Sequence, residues 1–333
     1  RHPMKILQLS GTTCIDSLRT RRAPVSFGVC LALAGLAVVL AAPRSVRAQA
    51  VDPNKIPAPR DVTFTTKDRI NLAGTYLGSN LGREAPVIVF LHREGGNRLV
   101  WTKGIAPALQ QEGYAVITVD LRGHGQSKVD AGANDGRRRR NDKLVPLDYK
   151  HMVEFDLEAV KSFIYEEHQA ERLNMNKTGL VGAEMGAAVA VWYAMLDWQK
   201  PPHPDGIGPN RTPRGQDIRA IALLTPENVP GLHYPQPLIV PRKPKWEIHR
   251  LVAVGDQDKK GLREAERIYE LFTKLGKNPD RSYMQIYPGE LKGADLLTPK
   301  ELNVSAHLSK FFEKSLKSLP ANWRDRKSKI AAD

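Results

Sequence analysis

The stretch "TGLVGAEMGAAVAVWYAML", residues 178–196, decides the fold. Its first apolar residues end a short buried strand at Val181, and an alanine-rich helix begins near Met185. Between them stands Gly182-Ala183-Glu184-Met185-Gly186. Glycines two residues either side of Glu184 allow the chain to swing sharply from strand into helix. The residue at the apex of such a turn projects clear of the sheet. Here that residue is a carboxylate, and its purpose is the question the rest of the chain must answer.

Working outward, residues 61–77, "DVTFTTKDRINLAGTYL", alternate apolar and polar side chains around Lys67-Asp68 and predict an antiparallel hairpin. "APVIVFLH" at 85–92 is continuously apolar, as in a strand covered on both faces. "AVITVDLRGHGQS" at 115–127 repeats that pattern and runs into a glycine-rich turn. Helical spacing follows at 101–114 and 149–169. After the opening stretch come strands in 218–227, 248–258 and 281–289, and helices in 261–276 and 301–316. Strands alternating with helices predict an α/β fold, a mostly parallel twisted sheet with helices on both faces. Two Pro/Gly-rich segments, 198–218 and 226–246, break the alternation and are expected to include cap loops over a site.

The 333-residue chain carries a net charge of +14. Arg19, Arg21 and Arg22 precede an apolar run at 25–42, and Ala48-Gln49-Ala50 has the small-x-small form of a cleavage site. Residues 1–50 are therefore expected to be a signal peptide that sends the protein to the periplasm or outside the cell, without leaving it as an integral membrane protein. Both cysteines, Cys14 and Cys30, fall in that segment, so the remainder relies on its apolar core. Residues 51–60 form a Pro-rich linker, 61–315 the folded domain, and 316–333 a basic polar tail. No metal-ligand spacing, dinucleotide fingerprint or phosphate loop is present, so no cofactor and no metal are expected. The four arginines at 137–140 predict an exposed insertion, with an anionic surface as its sharper role. Without aromatic interleaving they do not point to nucleic acid.

The motifs taken together resemble the α/β-hydrolases, in particular the serine aminopeptidase and monoacylglycerol-lipase-like group, over about residues 61–315. Leu91-His92 stands where that group has His-Gly after its third strand. Asp120-Leu121-Arg122-Gly123-His124-Gly125-Gln126-Ser127 matches its D-x-R-G-x-G-x-S turn. Gly182 to Gly186 has the frame of its G-x-S-x-G elbow. Gly255-Asp256-Gln257-Asp258 matches the loop that bears its acid, and Pro288-Gly289-Glu290-Leu291-Lys292-Gly293 takes the place of the P-G-x-x-H-G loop that bears its histidine. The resemblance implies a triad at Glu184, Asp258 and Lys292, with oxyanion donors at the backbone amides of Glu94 and Met185. Only the acid matches. Arg93 also replaces a glycine after His92.

Serine hydrolysis requires a hydroxyl activated by a neutral imidazole. Glu184 has no hydroxyl, and Lys292 beside two carboxylates remains an ammonium. The expected arrangement is an ion-pair network, Glu184 within about 4 Å of Lys292, in a non-catalytic binding or structural module for an unknown small molecule or anionic surface. The alternative is a hydrolase of esters, amides or carbon–halogen bonds in which Glu184 itself attacks. His92 and His124 are expected to be structural, and His151 and His168 to face solvent. If residues 1–50 are removed on export, mass spectrometry of protein from the native host will find an N-terminus near Val51; an intact chain in the cytoplasm would contradict this.

Overall fold

In the computed structural model, residues 52, 54–127, 144–234, 247–275 and 279–330 are described. The expected signal segment and the arginines at 137–140 lie outside them. β1 (Arg60–Thr65) and β2 (Asn71–Leu77) form the expected antiparallel hairpin. β3 (Val87–Leu91) follows, then short helices α1 (Leu99–Thr102) and α2 (Ala106–Gln111) lead to β4 (Ala115–Val119). Beyond it, α3 (Pro146–His151) runs through a π-helical stretch, Met152–Asp156, into α4 (Leu157–Gln169). β5 (Thr178–Ala183), α5 (Met185–Gln199), β6 (Ile218–Leu224) and β7 (His249–Gly255) come next. The last elements are α6 (Lys259–Leu275), β8 (Ser282–Tyr287) and α7 (Val304–Phe312).

The eight strands make one sheet in the order β1-β2-β4-β3-β5-β6-β7-β8. From β4 to β8 every pairing is parallel, and only the hairpin end is antiparallel. The pleat divides the core. Val87, Val89 and Leu91 pack on one face with Leu180, Val189 and Phe272. Ile88 and Phe90, between them in sequence, pack on the other with Trp101, Val181 and Phe312. This is why β3 is apolar at every position and β4 at every position but Thr118, which is itself fully buried. β5 pairs with β3 on one side and β6 on the other, so its C-terminal end opens at the middle of the sheet edge, where parallel sheets place their sites.

Topology separates the two loops expected as caps. The segment 200–217 joins the end of α5 to the start of β6, at the sheet edge opposite the elbow, so it does not cover a site there. The second loop leaves the C-terminal end of β6, on the elbow's side. Its described part, 226–234, touches α3, since a Cβ on Gly231 would meet Pro146 O at 3.2 Å; residues 235–246 lie outside the described residues.

The D-x-R-G-x-G-x-S turn is held by buried charge. Asp156 accepts from the Arg122 backbone amide at 2.9 Å and from its guanidinium at 2.8 and 2.6 Å. Asp120 accepts from Arg98 through backbone and side chain, each at 2.6 Å. Ser127 donates to Asp120 O and accepts from the Ala73 amide, which fixes it as a structural residue. His92 accepts from the Leu121 amide at Nε2 and donates from Nδ1 to Arg93 O; burial pushes its pKa down to about 4. His124 is held by Arg122 O, so both turn histidines are structural as expected. His168 is not solvent-facing: it is fully buried, because a segment from the C-terminus packs over it. Asp156→Ala leaves the Arg122 guanidinium, 4% exposed, with Asp68 at 2.8 Å as its remaining acid and removes the acceptor of the Arg122 amide, and urea denaturation should show a loss of about 1–3 kcal/mol. A loss below about 1 kcal/mol would show that the turn does not depend on this pair.

Candidate functional site

Glu184 sits at the tip of β5 with φ 51° and ψ −110°, a backbone conformation that non-glycine residues rarely adopt. The turn closes so tightly that a Cβ on Gly182 would lie 2.3 Å from Gly186 O, and one on Gly186 would lie 2.6 Å from Leu91 O. The Glu184 amide donates to Leu224 O at 2.9 Å, which ties the apex to β6. The elbow is therefore intact in geometry, and α5 starts immediately after it.

The acid and base loops also converge here. Asp256 Oδ1 accepts from the Gly289 amide at 2.8 Å, and the Gln257 amide donates to Gly289 O at 3.1 Å. Asp258, 7% exposed, accepts from the Gly261 amide at Oδ1. The same oxygen lies 3.2 Å from Lys292 Nζ. The base-position ammonium is thus committed to the acid-position carboxylate.

The other expected contact is absent. No ion pair joins Glu184 to Lys292 within about 4 Å, which corrects the expected three-way network. The reason is geometric and electrostatic. The Glu184 carboxylate lies against the Gly293 backbone, where an added Cβ would meet Oε1 at 2.5 Å. Lys292 reaches instead to the deeper carboxylate, while its own side chain remains 45% exposed. Burial raises the Glu184 pKa and the Glu227 carboxylate adds to it. Arg93 opposes, Asp295 raises it further and Lys292 lowers it, and the net direction is upward.

The two expected oxyanion donors fall beside the elbow, and neither the Glu94 nor the Met185 amide has a hydrogen-bond partner among the described residues. Arg93 and Glu94 are both exposed. Glu94 faces Tyr149, whose hydroxyl is pushed up to about 12 by burial and then by that carboxylate. Among the described residues, no group of His, Cys, Asp and Glu has the arrangement to hold a metal ion.

Sequence reasoning missed Thr225, Glu227 and Asp295, and it placed Gly293 only as the end of the base loop. Thr225 is fully buried with φ 48°, and its hydroxyl accepts from the Gly293 amide at 3.0 Å. A β-branched residue in this region is strained, and it anchors the loop on which Glu184 rests. Thr225-Pro226 at a strand end gave a faint signal of a special turn. Glu227 and Asp295 look in sequence like ordinary surface acids, and only folding brings them to the elbow.

A sequence model of the alpha/beta hydrolase fold matches residues 86–274. No curated protein matches the chain significantly. Solved structures are similar in fold. A dienelactone hydrolase from Anabaena variabilis is 17% identical with a TM-score of 0.52, covering 79% of this chain and 100% of its own. An alpha/beta hydrolase from Penicillium sp. sh18 is 14% identical with a TM-score of 0.53, covering 78% of this chain and 99% of its own. Carboxyl esterase 2 from Tuber melanosporum is 17% identical with a TM-score of 0.51, covering 80% of this chain and 88% of its own. At these identities the likeness concerns the fold alone.

Two outcomes follow from the seating of Glu184. Gly293→Ala drives a methyl into Oε1 at a residue with φ +50°, so it should cost about 1–3 kcal/mol. Combining it with Glu184→Ala should recover part of the loss, since the two residues touch; strict additivity in a double-mutant cycle would show that they do not. A carboxyl whose pKa is raised in the fold stabilises below its unfolded value and loses that contribution as pH rises through the folded value. Glu184→Gln should therefore raise Tm at pH 7–8, with the gain disappearing below about pH 4.5. A fall in Tm at pH 7–8 would show that Glu184 is ion-paired.

Proposed function

This chain belongs to the alpha/beta hydrolase fold family, and we propose that it is a non-catalytic binding or structural module, a pseudo-hydrolase of the serine aminopeptidase-like kind. The observation that carries this reading is the pairing of Lys292 with Asp258 at 3.2 Å, beside an elbow that holds a carboxylate. A serine hydrolase uses its acid to orient a neutral base, and the base to draw a proton from a hydroxyl. Here the acid is occupied by an ammonium, which has no lone pair to accept a proton. The elbow supplies no hydroxyl.

We further propose that the protein acts after export, engaging a small molecule or an anionic surface, the latter through the arginines at 137–140. Among the described residues no helix is long and apolar enough to cross a membrane.

A second reading makes Glu184 a covalent nucleophile. The strained apex and the two amides without partners favour it. Against it stands the pairing of Lys292 with Asp258, which leaves the base position unable to direct water onto an ester intermediate. The extra methylene of glutamate carries the carboxylate to Gly293.

The test is incubation with a fluorophosphonate probe and a panel of activated esters and haloalkanes. The wild type should show neither labelling nor turnover, and Glu184→Ser alone should remain inert because Lys292 still occupies Asp258. Glu184→Ser with Lys292→His rebuilds a hydroxyl, an imidazole and an acid, and should gain probe labelling. Wild-type turnover abolished by Glu184→Gln would overturn the proposal and establish the nucleophile.

A further inference from the structure

The segment expected as a basic polar tail is packed across the end of α4 and the loop that follows it. Ala321 O accepts from Asn174 Nδ2 at 2.9 Å, and Trp323 Nε1 donates to His168 O at 3.0 Å. The Arg326 amide donates to Gln169 Oε1 at 3.1 Å. The Lys329 amide donates to Asp205 Oδ2 at 3.0 Å. Arg326 is 4% exposed, and its Nη1 lies 2.6 Å from both Asn176 Oδ1 and Asp217 Oδ1. Asp217 also meets Lys161 at 2.7 Å, and Lys161 reaches Asp197. Between 321 and 330 only Arg326 is buried, so polar bonds hold this segment far more than apolar burial does.

His168 sits under it. Its Nε2 is 2.9 Å from Arg324 O. A carbonyl can only accept, so Nε2 carries the proton and Nδ1 presents a lone pair. That lone pair accepts from the Met175 amide at 3.2 Å. The ring also faces the Trp323 indole, 5.0 Å away.

We propose that residues 319–329 are a latch that mild acid releases, with protonation of His168 as the trigger. A second proton must occupy Nδ1, which faces the Met175 N–H, and Leu173 O at 3.2 Å is the one carbonyl near it. The new charge also falls near Arg326, with Arg324 beside it. Asp217 and Asp325 oppose this, but Asp217 is already shared between Lys161 and Arg326. Arg219 adds further positive charge near Asp217 and Asp197. Glu167, the neighbouring acid on α4, is taken by Arg60 and Arg172. Burial holds the His168 pKa below its ordinary 6.5. The neutral ring's contribution is therefore present above the ordinary value and lost as pH falls through the folded one.

Hydrogen exchange on the full chain tests the latch, with rates corrected for the intrinsic effect of pH. On acidification from pH 7.5 to 4.5, amides in 319–330 should lose protection while β3, β4, β5 and β6 keep theirs. Trp323 emission, taken as the difference between wild type and Trp323→Phe, should change over the same range. Arg326→Gln should remove the strap's protection at pH 7.5. In His168→Gln the strap should show the same protection at both ends of the range. Protection that persists to pH 4.5, or that is lost only together with the sheet, would overturn the proposal. So would an unchanged acid transition in His168→Gln.

Discussion

The backbone at Glu184 constrains everything around it. A residue at φ 51° and ψ −110° costs energy that the flanking structure must offset, and it does so through contacts that leave no room for a Cβ at Gly182 or Gly186. The hydrogen bond from the Glu184 amide to Leu224 O then locks β5 and β6 in register at the apex. The side chain at this position can leave in only one direction, out over the C-terminal edge of the sheet. The acid loop after β7 and the base loop after β8 arrive at the same edge because the pairings from β5 to β8 are all parallel. The scaffold would hold a nucleophile, and the chain has placed a carboxylate in it.

The consequence is a contest for cations that Glu184 loses. Asp258 is the more deeply buried acid, and an unpaired charge there would cost more than one at the elbow, which is partly open to solvent. Lys292 therefore settles on Asp258. Glu184 is left with Glu227 and Asp295 raising its pKa and with Arg93 only partly compensating. Its carboxylate rests on Gly293, a residue of the base loop that has no side chain, itself held by the hydroxyl of Thr225. The site is ordered by contacts unrelated to proton transfer.

The fold was legible in the sequence because its signals are local. The apolar runs of β3 and β4, the alternation in β1 and β2, and the glycine spacing at 182 and 186 each report a backbone environment through a few adjacent residues. The positions of Asp258 and Lys292 followed from loop order, and their pairing from opposite charge. The Glu184–Lys292 contact did not follow, since a single ammonium between two acids chooses by relative burial, a property of the assembled structure. The placement of 200–217 was misjudged because proline content marks a loop without saying which end of a parallel sheet it joins. His168 was misjudged for a similar reason: helix periodicity put it at a boundary, while its cover comes from more than 150 residues downstream.

The arrangement at the elbow turns on the state of one carboxyl group, that of Glu184. Titration of the full chain with glutamate labelled at the side-chain carbonyl carbon, the Glu184 signal assigned by its loss in Glu184→Gln, measures that state directly by NMR. An unpaired, partly desolvated carboxyl flanked by Glu227 and Asp295 titrates above the ordinary glutamate value of 4.5. A midpoint below 4.5 would mean that a cation holds Glu184 ionised, and would contradict the arrangement described for the elbow.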